Sequence, residues 1–164
     1  MATLKDVVAY ICENYPYKDE LSKARLTKLV YLADWKMSID QGRQITPTRW
    51  YFNHYGPYVY DIEQLARSDG AFEIVRTSNQ YGSLKEIVRL REESAVDLTP
   101  EEREAIDFAM EKTKVLSWDG FIKLIYSTYP IVTESRYDFL DLPVLADEYR
   151  TSFEQQGQRK PVMG

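Results

Sequence analysis

The 164 residues carry 44% apolar and 29% charged side chains, the balance of a chain that folds in water around its own core. That length buries roughly two-thirds of the unfolded surface without a structural metal, and a single cysteine excludes an internal disulfide or a Cys-based zinc site. The net charge of −5 sits in the C-terminal part: residues 1–96 hold 13 basic and 13 acidic groups, residues 97–164 hold 8 and 13, so phosphate backbones are repelled and a basic protein partner is attracted.

Thr3 is placed to cap a first helix running to about Tyr15, with Leu4, Val7, Val8 and Ile11 at helical spacing, and Pro16 stops it. Ser22 caps a second helix that Gly42 ends. Leu26, Leu29, Val30, Ala33 and Met37 share one face of it, and Tyr31, Leu32 and Trp35 widen the apolar arc so far that the helix belongs in the middle of a domain. From Ile45 to Tyr55 the character changes: Thr46-Pro47-Thr48 breaks the helix, while Trp50, Tyr51, Phe52 and Tyr55 favour an extended stretch. Gly56-Pro57 reads as a turn whose proline opens a helix from about Pro57 to Arg67.

Alternation from Phe72 to Thr77, then Leu84, Ile87, Val88 and Leu90, gives the one clear strand signal, a hairpin around Asn79 to Ser83. Two strands alone are marginal, and residues 49–53 are available as a third. Thr99-Pro100-Glu101-Glu102 starts a helix that runs to about Lys114 and buries Ile106, Phe108 or Ala109, and Met110. Ser117 caps another, carrying Phe121, Leu124 and Ile125, which Pro130 terminates; a last helix spans about Pro143 to Phe153. The expected fold is mainly α with a small antiparallel β-sheet (α+β), a single domain over residues 1–154 with a flexible polar tail at 155–164.

Chemistry is harder to find. His54 is the sole histidine, so a Cys/His nucleophile pair has only Cys12 to work with, and both lie in segments with better structural explanations. Glu92-Glu93 and Glu101-Glu102 read as solvated loop and helix-start charges, and neither glycine-containing loop has phosphate-cradling spacing. No catalytic, metal or cofactor residue is assigned. The first residues lack a leader pattern and no apolar run reaches membrane-spanning length, so the cytoplasm is the expected compartment. The competing local reading is a helix-turn-helix regulator, with Lys23, Arg25 and Lys28 opening the second helix.

The ordered pieces Leu26-Thr27-Lys28-Leu29-Val30-Tyr31-Leu32-Ala33-Asp34-Trp35, Gly42-Arg43-Gln44-Ile45-Thr46 and Trp50 to Pro57 resemble the Panacea domain of SocA-like antitoxins. The resemblance implies a non-enzymatic antitoxin encoded beside a protein toxin, often on phage-derived or other mobile DNA, which it neutralises by direct binding. In the SocA branch it implies an adaptor that delivers the toxin to the ClpXP protease. Nucleic acid enters only through autoregulation. The matching motif positions are Lys28, Tyr31, Asp34, Trp35, Gly42, Trp50, Gly56 and Pro57. Lys28, Tyr31, Asp34, Trp50 and Tyr55 are the least explained by packing, and read either as a polar network joining the second helix to residues 50–57 or as the border of a toxin groove. The expected toxin contacts are the aromatic and Arg residues of less regular segments: Tyr51, Tyr55, Tyr58 and Tyr60, the hairpin tip at Tyr81, and Tyr126, Tyr129, Arg136 and Tyr137.

Overall fold

A computed structural model of the chain describes residues 2–155. Helix α1, Leu4–Asn14, begins at a capping box in which Thr3 and Asp6 satisfy each other's backbone N–H groups. A short 3-10 turn, Lys18–Glu20, leads to α2, Lys23–Gln41, capped by Ser22 and closed by Gly42 at φ +73°. Every residue from Arg25 to Trp35 is buried, which makes α2 the axis of the core, and it packs mainly on α4, Pro100–Thr113, and α7, Leu142–Gln155. Each fully buried Leu or Val along that axis contributes on the order of 2 kcal/mol of apolar transfer. From α7, the Arg150 guanidinium donates to the Ser38 and Ile39 carbonyls at the end of α2, the first of which also accepts from Gly42 N–H.

Strands β1, Trp50–Asn53, and β2, Gly56–Tyr58, form a tight antiparallel hairpin, followed by α3, Asp61–Ser68. The expected helix start at Pro57 is therefore wrong. Gly56 adopts φ +103° and Pro57 pairs with Phe52, so the Gly-Pro step is a strand and the helix begins at Asp61. Strands β3, Phe72–Ser78, and β4, Leu84–Leu90, make the expected second hairpin. Residues 49–53 do not extend it: β1 pairs instead with β5, Phe139–Leu140, in a separate sheet ordered β2-β1-β5. What supports the β3–β4 hairpin is α1, α3 and the chain just before α2, where Val88 N–H donates to the Leu21 carbonyl.

Helix α4 carries the predicted cap at Thr99, reciprocated by Glu102, and buries Ile106, Ala109 and Met110 with Phe108 half-buried. Ser117 caps α5, Trp118–Ser127, as expected, but the helix ends before Pro130, which sits in the first turn of a short α6, Tyr129–Thr133. The final helix is longer than the sequence indicates, reaching Gln155. The polar tail expected at 155–164 lies, beyond Gln155, outside the described residues. The observed architecture is mainly helical α+β, as the patterning predicts, with two small antiparallel sheets where one was expected.

Candidate functional site

The bend that follows α2 is organised by one side chain. Asp34 is fully buried; its Oδ1 accepts from Ile45 N–H at 2.9 Å and Thr46 N–H at 3.0 Å, and its Oδ2 accepts from Thr46 Oγ1 at 2.7 Å and Trp50 Nε1 at 2.9 Å. The Thr46 hydroxyl has one proton; once that goes to Asp34, the Thr48 hydroxyl at 2.8 Å must donate to Thr46. Burial pushes the Asp34 carboxyl up to about 6, against four donors that favour its ionised form. Asp34 and Trp50 thus join α2 to β1.

Tyr31, one turn before Asp34, is equally buried and shares its hydroxyl with Thr128 Oγ1 at 2.8 Å, while its ring meets Trp50 edge-on. Trp35 faces the other way and stacks near Tyr149 of α7 at 5.8 Å, a ring that also contacts Tyr129. Lys28 is only 5% exposed and makes no hydrogen bond or ion pair among the described residues; burial lowers its amine to about 8. Gly42 lies exposed at the end of α2, whereas Gly56 and Pro57 are buried, with the Tyr126 ring 3.7 Å from where a Gly56 Cβ would stand.

The β2-β1-β5 sheet has two unlike faces. Trp50, Phe52 and Leu140 point into the core. Outward, Tyr51 stands opposite both Tyr58 on β2 and Phe139 on β5, its ring 5.2 Å from that of Phe139. The Arg49 guanidinium lies 3.6 Å from the Phe139 ring centre. At the end of the hairpin Tyr55 is 76% exposed, and Arg136 reaches back to the His54 carbonyl at 3.3 Å. Tyr137, 61% exposed, is the one described non-glycine residue at positive φ, +74°, and its N–H donates to the Phe52 carbonyl. Two separate expected segments, 51–60 and 136–137, therefore converge through β1–β5 pairing. Tyr60 is also exposed, Tyr126 and Tyr129 are half-buried, and Tyr81 stands 83% exposed on the other hairpin. Arg49 and Phe139 were not among the sequence candidates; the alternation Arg49-Trp50-Tyr51-Phe52 was the available signal for the first.

The only histidine and the only cysteine do not pair. Burial pushes the Cys12 thiol up to about 12, and His54 is exposed with its ring against Tyr55. Among the described residues no group of three or more His, Cys, Asp or Glu side chains is arranged to hold a metal ion. No described helix is long and apolar enough to cross a membrane.

Compared with known proteins, residues 26–130 match a family model described as antitoxin SocA-like, Panacea domain, which covers well over half of the chain. No curated protein and no solved structure matches.

Proposed function

The chain belongs to the SocA-like antitoxin family with a Panacea domain, and from that premise we propose that it neutralises a cognate protein toxin by direct binding. The observation that supports direct binding most is the outward face of the β2-β1-β5 sheet, where Tyr51, Tyr58 and Phe139 form a cross-strand stripe with Arg49 stacked on its end. Rigid aromatics beside an arginine are the usual energetic anchors of protein interfaces. Tyr55, Tyr60, Arg136 and Tyr137 extend the contact from the hairpin end, and Tyr81, Tyr126 and Tyr129 are its outer members. In this reading residues 1–154 act as one cytoplasmic domain, without cofactor or catalysis, and the toxin is encoded nearby.

Tyr31, Asp34, Trp35, Gly42, Trp50, Gly56 and Pro57 serve as the frame. Four of them are tied into the Asp34 network or the aromatic contacts around it. The regulator reading fares worse, because α2 is buried along its length from Arg25 to Trp35 and offers no free face to a DNA groove. Co-expression with the toxin encoded beside the chain tests the proposal. Growth rescue with a stoichiometric complex, kept in a host lacking ClpXP, is the expected result. Rescue only where ClpXP is present, with loss of the toxin, would replace neutralisation by binding with delivery to the protease. Tyr51→Ala and Phe139→Ala are each expected to weaken the complex by about tenfold or more.

A further inference from the structure

Three kinds of buried charge lie along or against α2, and two of them are compensated. Asp34 is met by four donors, and Glu102, 3% exposed, is met by Arg43 and by the Thr99 cap. Arg25 and Lys28 are not met by any acid. Each is 5% exposed, and neither forms an ion pair among the described residues. Arg25 has one hydrogen bond, from Nη1 to the Tyr15 hydroxyl at 3.3 Å, and otherwise rests 4.9 Å from the Phe121 ring centre and 5.7 Å from that of Trp118. Lys28 has none. Spaced three residues apart on a helix, the two lie on the same side, one turn from each other.

Two cations removed from water without a counter-ion are an unbalanced arrangement. Acids are at hand, since Glu20 is close enough to influence the Tyr15 hydroxyl and Asp119 follows Trp118, yet neither pairs with Arg25 or Lys28. The site is also reachable. Beside Arg25, Trp118 is 43% exposed, and Tyr17, 48% exposed, stands edge-on to Tyr15 at 6.4 Å.

Building on the antitoxin reading, we infer that Arg25 and Lys28 are the floor of a carboxylate-binding site that receives an acidic side chain of the toxin, with Trp118 and Tyr17 as its rim. The occupant is a protein carboxylate because the chain's own charge is −5 overall, which disfavours a polyphosphate backbone, whereas one acidic side chain enters a local cationic spot against aromatic walls. This site is formed by α2, α5 and the segment between α1 and α2, and is separate from the outward sheet face.

The free native chain is titrated with an acetylated tetraglutamate peptide while the Lys28 side-chain and Trp118 indole N–H signals are followed by NMR. Saturable shifts of both, absent with a tetralysine peptide and absent in Arg25→Gln/Lys28→Met, are expected. No shift, or a shift with inorganic phosphate alone, would overturn the assignment of a carboxylate. Against the toxin encoded beside the chain, the double variant is expected to lose at least about 100-fold in affinity, and Arg25 with Lys28→Arg to recover most of it. Lys28→Met alone deprives no partner and should melt no lower than the native chain, whereas Arg25→Gln gives up the bond to the buried Tyr15 hydroxyl; if the double variant unfolds, the titration of the native chain still decides. Toxin binding that is unchanged in the double variant would sink this inference and leave the antitoxin reading standing. A native chain that takes up tetraglutamate but no toxin would remove the antitoxin reading and, with it, the occupant named here.

Discussion

Replacing Trp50 by Phe isolates the hydrogen bond that ties β1 to α2. Phenylalanine keeps a ring in the buried position beside Tyr31 but takes away the Nε1 donor that lies 2.9 Å from Asp34 Oδ2. A hydrogen bond to an ionised acceptor contributes about 1.5–3 kcal/mol, and the smaller ring leaves a void costing roughly 1 kcal/mol more. The Asp34 carboxyl is raised from 3.8 to about 6 in the folded chain, so the folded state holds its proton more tightly than the unfolded one. Its contribution to stability is therefore complete below pH 3.8 and is lost as the pH rises through 6, by roughly 3 kcal/mol in all. Without the indole donor the carboxyl is raised further, so the deficit of the variant grows with pH. Urea denaturation should show a loss of about 2 kcal/mol at pH 4.5, where Asp34 is largely protonated, and about 3–4 kcal/mol at pH 8. The same substitution in an Asp34→Asn background should lose its pH dependence, because the shared acceptor no longer titrates. A loss below about 1 kcal/mol at pH 8, or one equal at both pH values, would refute the reasoning.

Three further changes probe the frame. Gly56→Ala puts a Cβ at φ +103° and against the Tyr126 ring, and should lower stability by about 1–2 kcal/mol in chemical denaturation. Arg150→Ala takes the guanidinium donor from the Ser38 and Ile39 carbonyls and should cost about 1–3 kcal/mol, with faster amide exchange confined to the last turn of α2. Thr99→Ala removes half of the α4 capping box and should cost about 1 kcal/mol, read as a lower melting temperature.

Where a rule depends on neighbours in sequence, the chain was legible. Thr3, Ser22, Thr99 and Ser117 all cap the helices their positions announce, and Gly42 ends α2, because each cap is decided within four residues. Gly56-Pro57 misled for a physical reason: the same pair suits a helix entry or a strand with a left-handed glycine, and the Tyr126 ring, 70 residues away, lies over that glycine. Phe139–Leu140 is too short to show any period, so the convergence of Tyr51 with Phe139 on the outward face was invisible. The role of Asp34 was half visible. Helical spacing aligned it with Tyr31 and Lys28, but its donors at Ile45, Thr46 and Trp50 depend on a bend that no local pattern specifies. Arg25 read as a cation opening a helix, and nothing near it in sequence told of the Trp118 and Phe121 rings that enclose it.

The pairing of Tyr51 with Phe139 also has a meaning in time. During synthesis β1 and β2 can close on each other as soon as they emerge, but the aromatic stripe stays unfinished until the chain has been made past Leu140. Contacts this distant in sequence form late because a long loop must be closed first. A nascent or prematurely ended chain therefore displays a β1–β2 hairpin without its outer aromatic neighbour, and the proposed toxin surface is withheld until nearly the whole described fold exists.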